Sequence, residues 1–551
     1  MTLIALALAL CTMPQSPATL RGTVAAERPA TGSLRVELRR LRTGANGRVE
    51  TLDRLKLYER PADAVVVADA AGGFTIEVAA GPYAAFAYAD ADGDGRWTPG
   101  VPEPCAFTAR CDVDGAAGAP VALVVRAPRH LPRSDREVEH GALRWMRGYP
   151  VVQLRGTAAQ RGRAHGELLA AQIVDFFRFY VLEDRLGGAD AYRDFATFLE
   201  TKFAWSEALL TELDGVLAGM RAGGADLDVP ELGRAFSRTE LLAINAYVET
   251  RAMRSSCTQF ACWGERTAGT DVQGGTIAGR NMDGEIDLRR VTVSHFVLFA
   301  TAPSEAGHKR YVSMMWPGFV GTLSGFNEDG LHCMENAGGT GPGPVVDRLQ
   351  PISWLMREAL VTLGADATPA HFERLLASNA NSAGGACAAG CILLFALPHE
   401  ASRAPAWVLE GDRFGHATRL PGAVAPQLTG AVLASNHHLA YGVDPARPGL
   451  SFGKEPSPSS RWRYEAGRAR LEGWSRTGRK VGTAEMKDLL QTVAHGTTEH
   501  SIITRPDRRE FEVAVASMAA EPWDAPYRAW TVFTFSELFE ARAVESGASR
   551  R

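Results

Sequence analysis

Three blocks of text with different periodicities succeed one another along the chain, and the change at residue 257 constrains the fold most. Between 142 and 253 apolar residues recur at three-and-four spacing, the pattern of helices packed by one face. "TAAQRGRAHGELLAAQIVDFFRFYVLEDRLGG" is the clearest case, with Thr157 as N-cap and Gly187–Gly188 as the stop. Gly162 and Gly166 lie one helical turn apart, so another element can approach that face closely. From "RSSCTQFACWGERTAG" (254–269) onward the text becomes strands, and a cysteine opens the first of them. Strand-rich text with a few long helices, such as "PISWLMREALVTLG", requires packed layers of sheet and helix.

The block at 19–127 is different again. "LRVELRRL", "AVVVADAAGGFTIEVAA" and "APVALVVRA" cluster β-formers between Gly, Pro and Asp, which predicts a small antiparallel β-sandwich. Its pattern resembles the transthyretin-like or carboxypeptidase-regulatory-like modules attached to exported enzymes. Within it "DADGDGRWTPGVPE" sets Asp90, Asp92 and Asp94 on alternate positions before Gly95, a spacing that suits calcium. An EF-hand needs Glu at the twelfth position, which here is Val101; Glu103 substitutes only in a longer loop, and a solvated acidic turn is the alternative. The polar, proline-bearing stretch 128–141 reads as a linker.

The 551 residues are enough for more than one domain. A net charge of −4 gives no electrostatic case for nucleic acid or an anionic membrane. Residues 1–18 form an apolar run ending in small residues, as in an export signal cut after Ala18. Cys11 offers lipid anchoring, against which the bulky Leu10 stands. Eight cysteines fit an exported protein, with Cys105–Cys111 and Cys387–Cys391 as loop-closing pairs or, alternatively, free thiols.

A cysteine at the start of a strand has a use if the chain before it is cut. Breaking Ser256–Cys257 gives Cys257 an α-amine, whose ordinary pKa of about 7.7–8.0 lets it serve as base for its own thiol. "CTQF…GRNMDG" resembles the opening of the mature chain in N-terminal nucleophile hydrolases of the choloylglycine hydrolase and penicillin acyltransferase-like superfamily. "GTAAQRGRAHGELL", "SGFNEDGLHCMEN", "VLASNHH" and "SPSSRWRYE" resemble further motifs of that group, in order, over roughly 150–520.

The resemblance implies an α+β, four-layer αββα sandwich, with 142–256 as helical pro-region or small chain and 257–551 as catalytic chain. It implies Cys257 as nucleophile, with Arg280 and Asp283 beside the thiol and the new amine. Asn336 would supply the oxyanion donor, Asn436 would orient the amine or the substrate amide, and Arg461 would fix Asp283 or the thiol region. The activity implied is hydrolysis or transacylation of a small amide or N-acyl substrate, without metal or organic cofactor, by a zymogen whose two chains stay associated. In "MMWPGFVGTLSGF", Trp316, Phe319 and Phe326 are acyl-pocket candidates, with core packing as the alternative. Asn327 reads as a turn residue, adjacent His437 and His438 point to opposite faces, and His495 has no assigned role. Two other readings compete: a papain-like cysteine peptidase that uses a distant histidine and is not self-cleaved, and a non-catalytic exported binding protein.

Overall fold

The computed structural model describes residues 17–44, 47–50, 60–98, 103–114, 120–247, 257–284, 289–402, 404–424, 428–447, 449–517 and 521–540. The segment 1–16 with Cys11, the loop residue Val101 and the cleavage-site residue Ser256 lie outside them. The chain divides into two compact units, 1–128 and 129–551.

The first unit holds seven strands: β1 (Pro17–Ala26), β2 (Ser33–Arg40), β3 (Ala64–Val67), β4 (Gly73–Ala79), β5 (Gly81–Asp90), β6 (Cys105–Val113) and β7 (Val121–Val125). They form two sheets, β4-β1-β7 and β3-β2-β5-β6. Alternate residues such as Val24, Val36, Leu38, Ile76, Leu123 and Val125 fill the space between them. Ala18 pairs with Val78 inside β1, so a cut after Ala18 would remove the first two residues of that strand.

Two sequence expectations change here. Cys105 and Cys111 both lie in β6, where six residues of strand separate them by about 20 Å, far beyond disulfide reach. At the acidic loop, Asp90, Asp92 and Glu103 bring carboxylate oxygens within 4.8 Å of one another, so Glu103 takes the place expected of Asp94. Asp94 instead accepts a hydrogen bond from the Arg96 N–H (2.7 Å). The three converging acids also have protein donors: Arg35 and Gly95 on Asp90, the Asp94 N–H on Asp92, and Ala91 and Thr98 on Glu103.

The second unit opens with β8 (Arg136–Val138), β9 (Gly141–Met146) and β10 (Tyr149–Gly156), so part of the expected linker is strand. Then come α1 (Ala158–Asp175), continued by a π-helical stretch Phe176–Arg185, and α2 (Ala189–Lys202) and α3 (Glu207–Ala222). A two-residue ladder, β11 (Asp228–Val229) with β12 (Arg234–Ala235), precedes α4 (Arg238–Ala246). After the undescribed 248–256 the chain runs through β13 (Thr258–Cys262), β14 (Ile277–Asp283), α5 (Arg289–Thr292), β15 (Val297–Pro303), β16 (Tyr311–Met315), β17 (Ser324–Asn327) and β18 (His332–Ala337). Next are α6 (Ile352–Thr362), α7 (Pro369–Ser378), β19 (Cys391–Ala396), β20 (Ala406–Asp412), β21 (Gly415–Arg419) and β22 (Ala431–Ala434). The unit ends with α8 (Pro458–Thr477), α9 (Thr483–Thr492), β23 (Thr498–Arg505), β24 (Glu510–Val515) and β25 (Thr531–Thr534).

Two sheets result, one of ten strands in the order β21-β20-β19-β18-β17-β16-β15-β10-β9-β8, the other of six in the order β22-β13-β14-β23-β24-β25. Strand alternation sorts the layers. Met334, Ile392 and Leu394 meet Ala261, Ala278 and Val432 between the sheets. Their neighbours Cys333, Leu393 and Phe395 face the other way, towards Leu355, Leu360 and Phe372 of α6 and α7. Phe260 and Ile277 of the smaller sheet pack under Leu471, Met486 and Leu490 of α8 and α9. The fold is thus the expected α+β sandwich with layers αββα.

Thr157 caps α1 with a reciprocal Gln160 contact, and Gly187 and Gly188, both at positive φ, end the run, as the text predicts. Gly162 and Gly166 on α1 face Gly215 and Gly219 on α3. A Cβ at Gly166 would lie 2.0 Å from the Val216 carbonyl oxygen, and one at Gly219 would lie 2.0 Å from that of Arg163. Backbone is against backbone, so nothing can yield cheaply. We expect Gly219→Val to destabilise the second unit by about 1–3 kcal/mol or more, measured by urea unfolding, with exposed Gly233→Asn as the near-neutral control.

Candidate active site

Cys257 stands immediately before β13, and β13 is held on one side by β14 and on the other by β22. Its side chain is buried, and Arg280 Nη2 lies 3.5 Å from the sulfur. Arg280 is itself fixed by β14 and by donating from Nη1 to the Leu323 carbonyl (2.8 Å) and to Ser324 Oγ. Burial pushes the Cys257 thiol above its ordinary pKa, Arg280 pulls it down, and Asp283 and Glu335 push it up again.

Asp283 ends β14 fully buried, with Oδ1 accepting from Thr498 Oγ1 (2.5 Å) and Oδ2 3.2 Å from His495 Nε2. His495, unassigned from sequence, therefore belongs to the Asp283 environment. The side-chain contact on the Cys257 sulfur comes from Arg280 and not from a histidine.

The Cys257 carbonyl is held from two directions. Asn336, near the end of β18, donates Nδ2 to it at 3.3 Å and also to the Ala434 and Ser435 carbonyls, at 3.4 and 3.1 Å. The second donor is Arg463, whose Nη1 lies 2.6 Å from the Cys257 carbonyl oxygen and 2.7 Å from Thr258 Oγ1. Arg463 Nη2 donates to Asn436 Oδ1 (2.9 Å), and Asn436 Nδ2 donates to the Ala337 carbonyl (2.9 Å). Asn436 thus reaches Cys257 through Arg463 and ties that arginine to β18.

The arginine of "SPSSRWRYE" in the site is therefore Arg463 and not Arg461. Arg461 is exposed and paired with Glu455. Two residues on a helix lie about 200° apart, so when Arg463 of α8 points inward Arg461 must point to solvent. Arg463 is fully buried, 0% exposed, and that is the signal the motif alone lacks.

The aromatic candidates separate. Trp316 and Phe319 belong to the same large apolar core as Cys257, Phe176 and Tyr247. Trp316 donates Nε1 to the Thr292 carbonyl and stacks on Phe176, and Phe319 meets Tyr247 edge-on. Phe326 alternates to the opposite face and packs between the sheets against Phe511 and Phe535, away from the other two. Asn327 closes its turn, accepting from Asp329 and Leu331, as expected of a structural residue. His437 lies against Ser435 and Ser460, whereas His438 packs against Tyr441, so the pair does face apart. Cys387 and Cys391 are not joined by a disulfide; Cys391 Sγ donates to Cys387 Sγ at 3.7 Å.

No family model and no curated protein matches the chain. Solved structures do match. An N-acylethanolamine-hydrolyzing acid amidase ortholog from Caenorhabditis elegans is 16% identical over 46% of this chain and 93% of its own, with TM-score 0.32. A conjugated bile acid hydrolase variant from Clostridium perfringens is 10% identical over 52% of this chain and 94% of its own, with TM-score 0.33. Penicillin V acylase from Agrobacterium tumefaciens is 15% identical over 47% of this chain and 83% of its own, with TM-score 0.28. At these TM-scores the likeness bears no weight, and the chemistry rests on the geometry above.

The two arginines of α8 give a direct comparison. Arg463→Gln should lower stability by about 1.5–3 kcal/mol, the range for hydrogen bonds to charged groups, whereas Arg461→Ala should stay within about 0.5 kcal/mol. Denaturant unfolding of the two variants beside the parent checks this.

Proposed function

We propose that this protein is a self-cleaving cysteine N-terminal nucleophile enzyme that hydrolyses, or transacylates from, a small amide or N-acyl substrate. One observation carries the reading: a cysteine at the head of a strand has its sulfur on Arg280 and its carbonyl gripped by Arg463 and Asn336. An ordinary buried thiol has no need of two arginines and a buried asparagine.

In the first reaction the Cys257 sulfur attacks the Ser256 carbonyl carbon, and the peptide C–N bond gives way to a C–S bond. The nitrogen takes a proton and becomes the Cys257 α-amine. Water then hydrolyses the thioester, releasing a carboxylate at Ser256 and restoring the thiol. Arg463 and Asn336 hold the Cys257 backbone while the bond before it is exchanged.

In the second reaction the freed amine takes the proton of its own thiol, and the sulfur attacks a substrate amide. The departing amine receives that proton, leaving a thioester on Cys257. Water completes hydrolysis; an acceptor amine completes transfer. Arg280 favours the thiolate and Asp283, steadied by Thr498 and His495, places the α-amine. Asn336 supplies the oxyanion donor. Its Nδ2 bonds to three carbonyls are long, 3.1–3.4 Å, so turning one N–H towards a developing negative charge costs little. Trp316 and Phe319, which share the core that contains Cys257, are the acyl-facing candidates that remain.

Export through the amino-terminal segment, and continued association of the two chains after the cut, belong to the same proposal. The upstream chain would supply β8–β10 and α1–α4, and buried Arg161 and Glu212 of that chain pair with Glu305 and Arg357 of the downstream one.

The wild-type protein should run as two chains on a denaturing gel, the downstream one beginning at Cys257 by mass spectrometry. Cys257→Ala should remain one chain without amidase activity. Asn336→Ala should lower turnover of any amide accepted by the wild type by about 100–1000-fold. A fully active, uncut chain would overturn the reading.

A further inference from the structure

Glu335 precedes Asn336 on β18, and neither the motif resemblance nor the mechanism above gives it a task. Its carboxylate is buried, and Oε2 lies 3.8 Å from Arg280 Nη2. That same nitrogen is the one 3.5 Å from the Cys257 sulfur. Arg280 Nη1 is committed to Leu323 and Ser324, so Nη2 is what the sulfur and the carboxylate have in common. Among the described residues the Glu335 carboxylate has no other ion-pair or hydrogen-bond partner.

We propose that Glu335 is a positioning residue that acts through Arg280 and governs how readily Cys257 ionises. An ionised carboxylate engages the guanidinium and opposes a second anion on the sulfur; a neutral carboxyl leaves Arg280 to the thiolate. This rests on Cys257 being the nucleophile.

Other groups around the pair do not duplicate the effect. Asp283, from β14, and Arg463, from α8, act on the thiol with opposite signs. His332 on β18 and His500 on β23 are both driven towards the neutral form by burial and by Arg280, so they carry no charge near neutrality. His495 is engaged with Asp283. Glu335 differs from all of these: burial outweighs Arg280 and pushes its carboxyl up to about 7. Two acids that share one cation release their protons as a coupled pair, the second later than the first. A neutral Glu335 therefore makes the thiol easier to ionise, and an ionised Glu335 pushes that ionisation to higher pH.

The test is alkylation of Cys257 by iodoacetamide across pH 5–10, with the Cys257 peptide quantified by mass spectrometry. Glu335→Gln keeps the shape and removes the charge, and half-maximal labelling should move about one pH unit lower than in the parent. Glu335→Asp keeps an anion and should stay nearer the parent than Glu335→Gln does. Should Glu335→Gln fail to fold, Glu335→Met, apolar and of similar size, is expected to give the same downward shift. A labelling curve that overlays the parent in the neutral variant, or moves upward, overturns the proposal. The gel and amidase assays on the same samples read the nucleophile assignment separately. A shifted curve in a chain that is never cut and never active would retain Glu335's effect on the thiol and sink the enzymatic reading.

Discussion

Arg463 donating to the Cys257 carbonyl at 2.6 Å is the contact on which the arrangement of the second unit depends. A guanidinium with no exposed surface is costly to bury, and it is tolerated because each of its terminal nitrogens has an oxygen to meet. Those oxygens come from different elements: the residue before β13, Thr258 at its start, and Asn436 beyond β22. Asn436 carries the connection on to the end of β18. One side chain of α8 thus joins an outer helical layer to both sheets at the point where the thiol sits.

Around that point the charges are deployed in opposition. Arg280 and Arg463 flank the cysteine, and Asp283 and Glu335 limit what the arginines do to it. No single neighbour makes the sulfur a strong nucleophile in the uncut chain, where burial is the leading influence and acts against ionisation. On the proposed reading, this suits a group that stays quiet until its own backbone supplies a base.

Much of this was legible in the text, for reasons that differ between elements. Thr157 and Gly187–Gly188 mark the ends of a helical run because capping and positive φ are local requirements. The glycine spacing on α1 foretold close packing, and α3 supplied the matching pair. Cys257, Arg280, Asp283 and Asn336 meet because strand order brings their ends together, and the ordered motifs carried that order. β8–β10 were less visible: Arg136–Val138 is short and charged, and reads as linker until Gly141–Met146 is seen beside it. Arg461 and Arg463 differ only in helical phase, which a motif does not record. Glu335 and His495 became visible only through their neighbours, since one buried carboxylate and one loop histidine have no periodic or compositional mark.

The pairing of β10 with β15 is parallel and joins text from before residue 257 to text from after it. A parallel ladder cannot be made by a hairpin; it requires a long crossover, here the α1–α4 helices and the first strands of the smaller sheet. The ten-stranded sheet is therefore completed only when distant halves of one covalent chain have found each other. If severance depends on the geometry at Cys257, it comes after that meeting and records it. Under the proposed self-cleavage, maturation would then act as a quality check: a molecule that has misassembled would never expose a working amine.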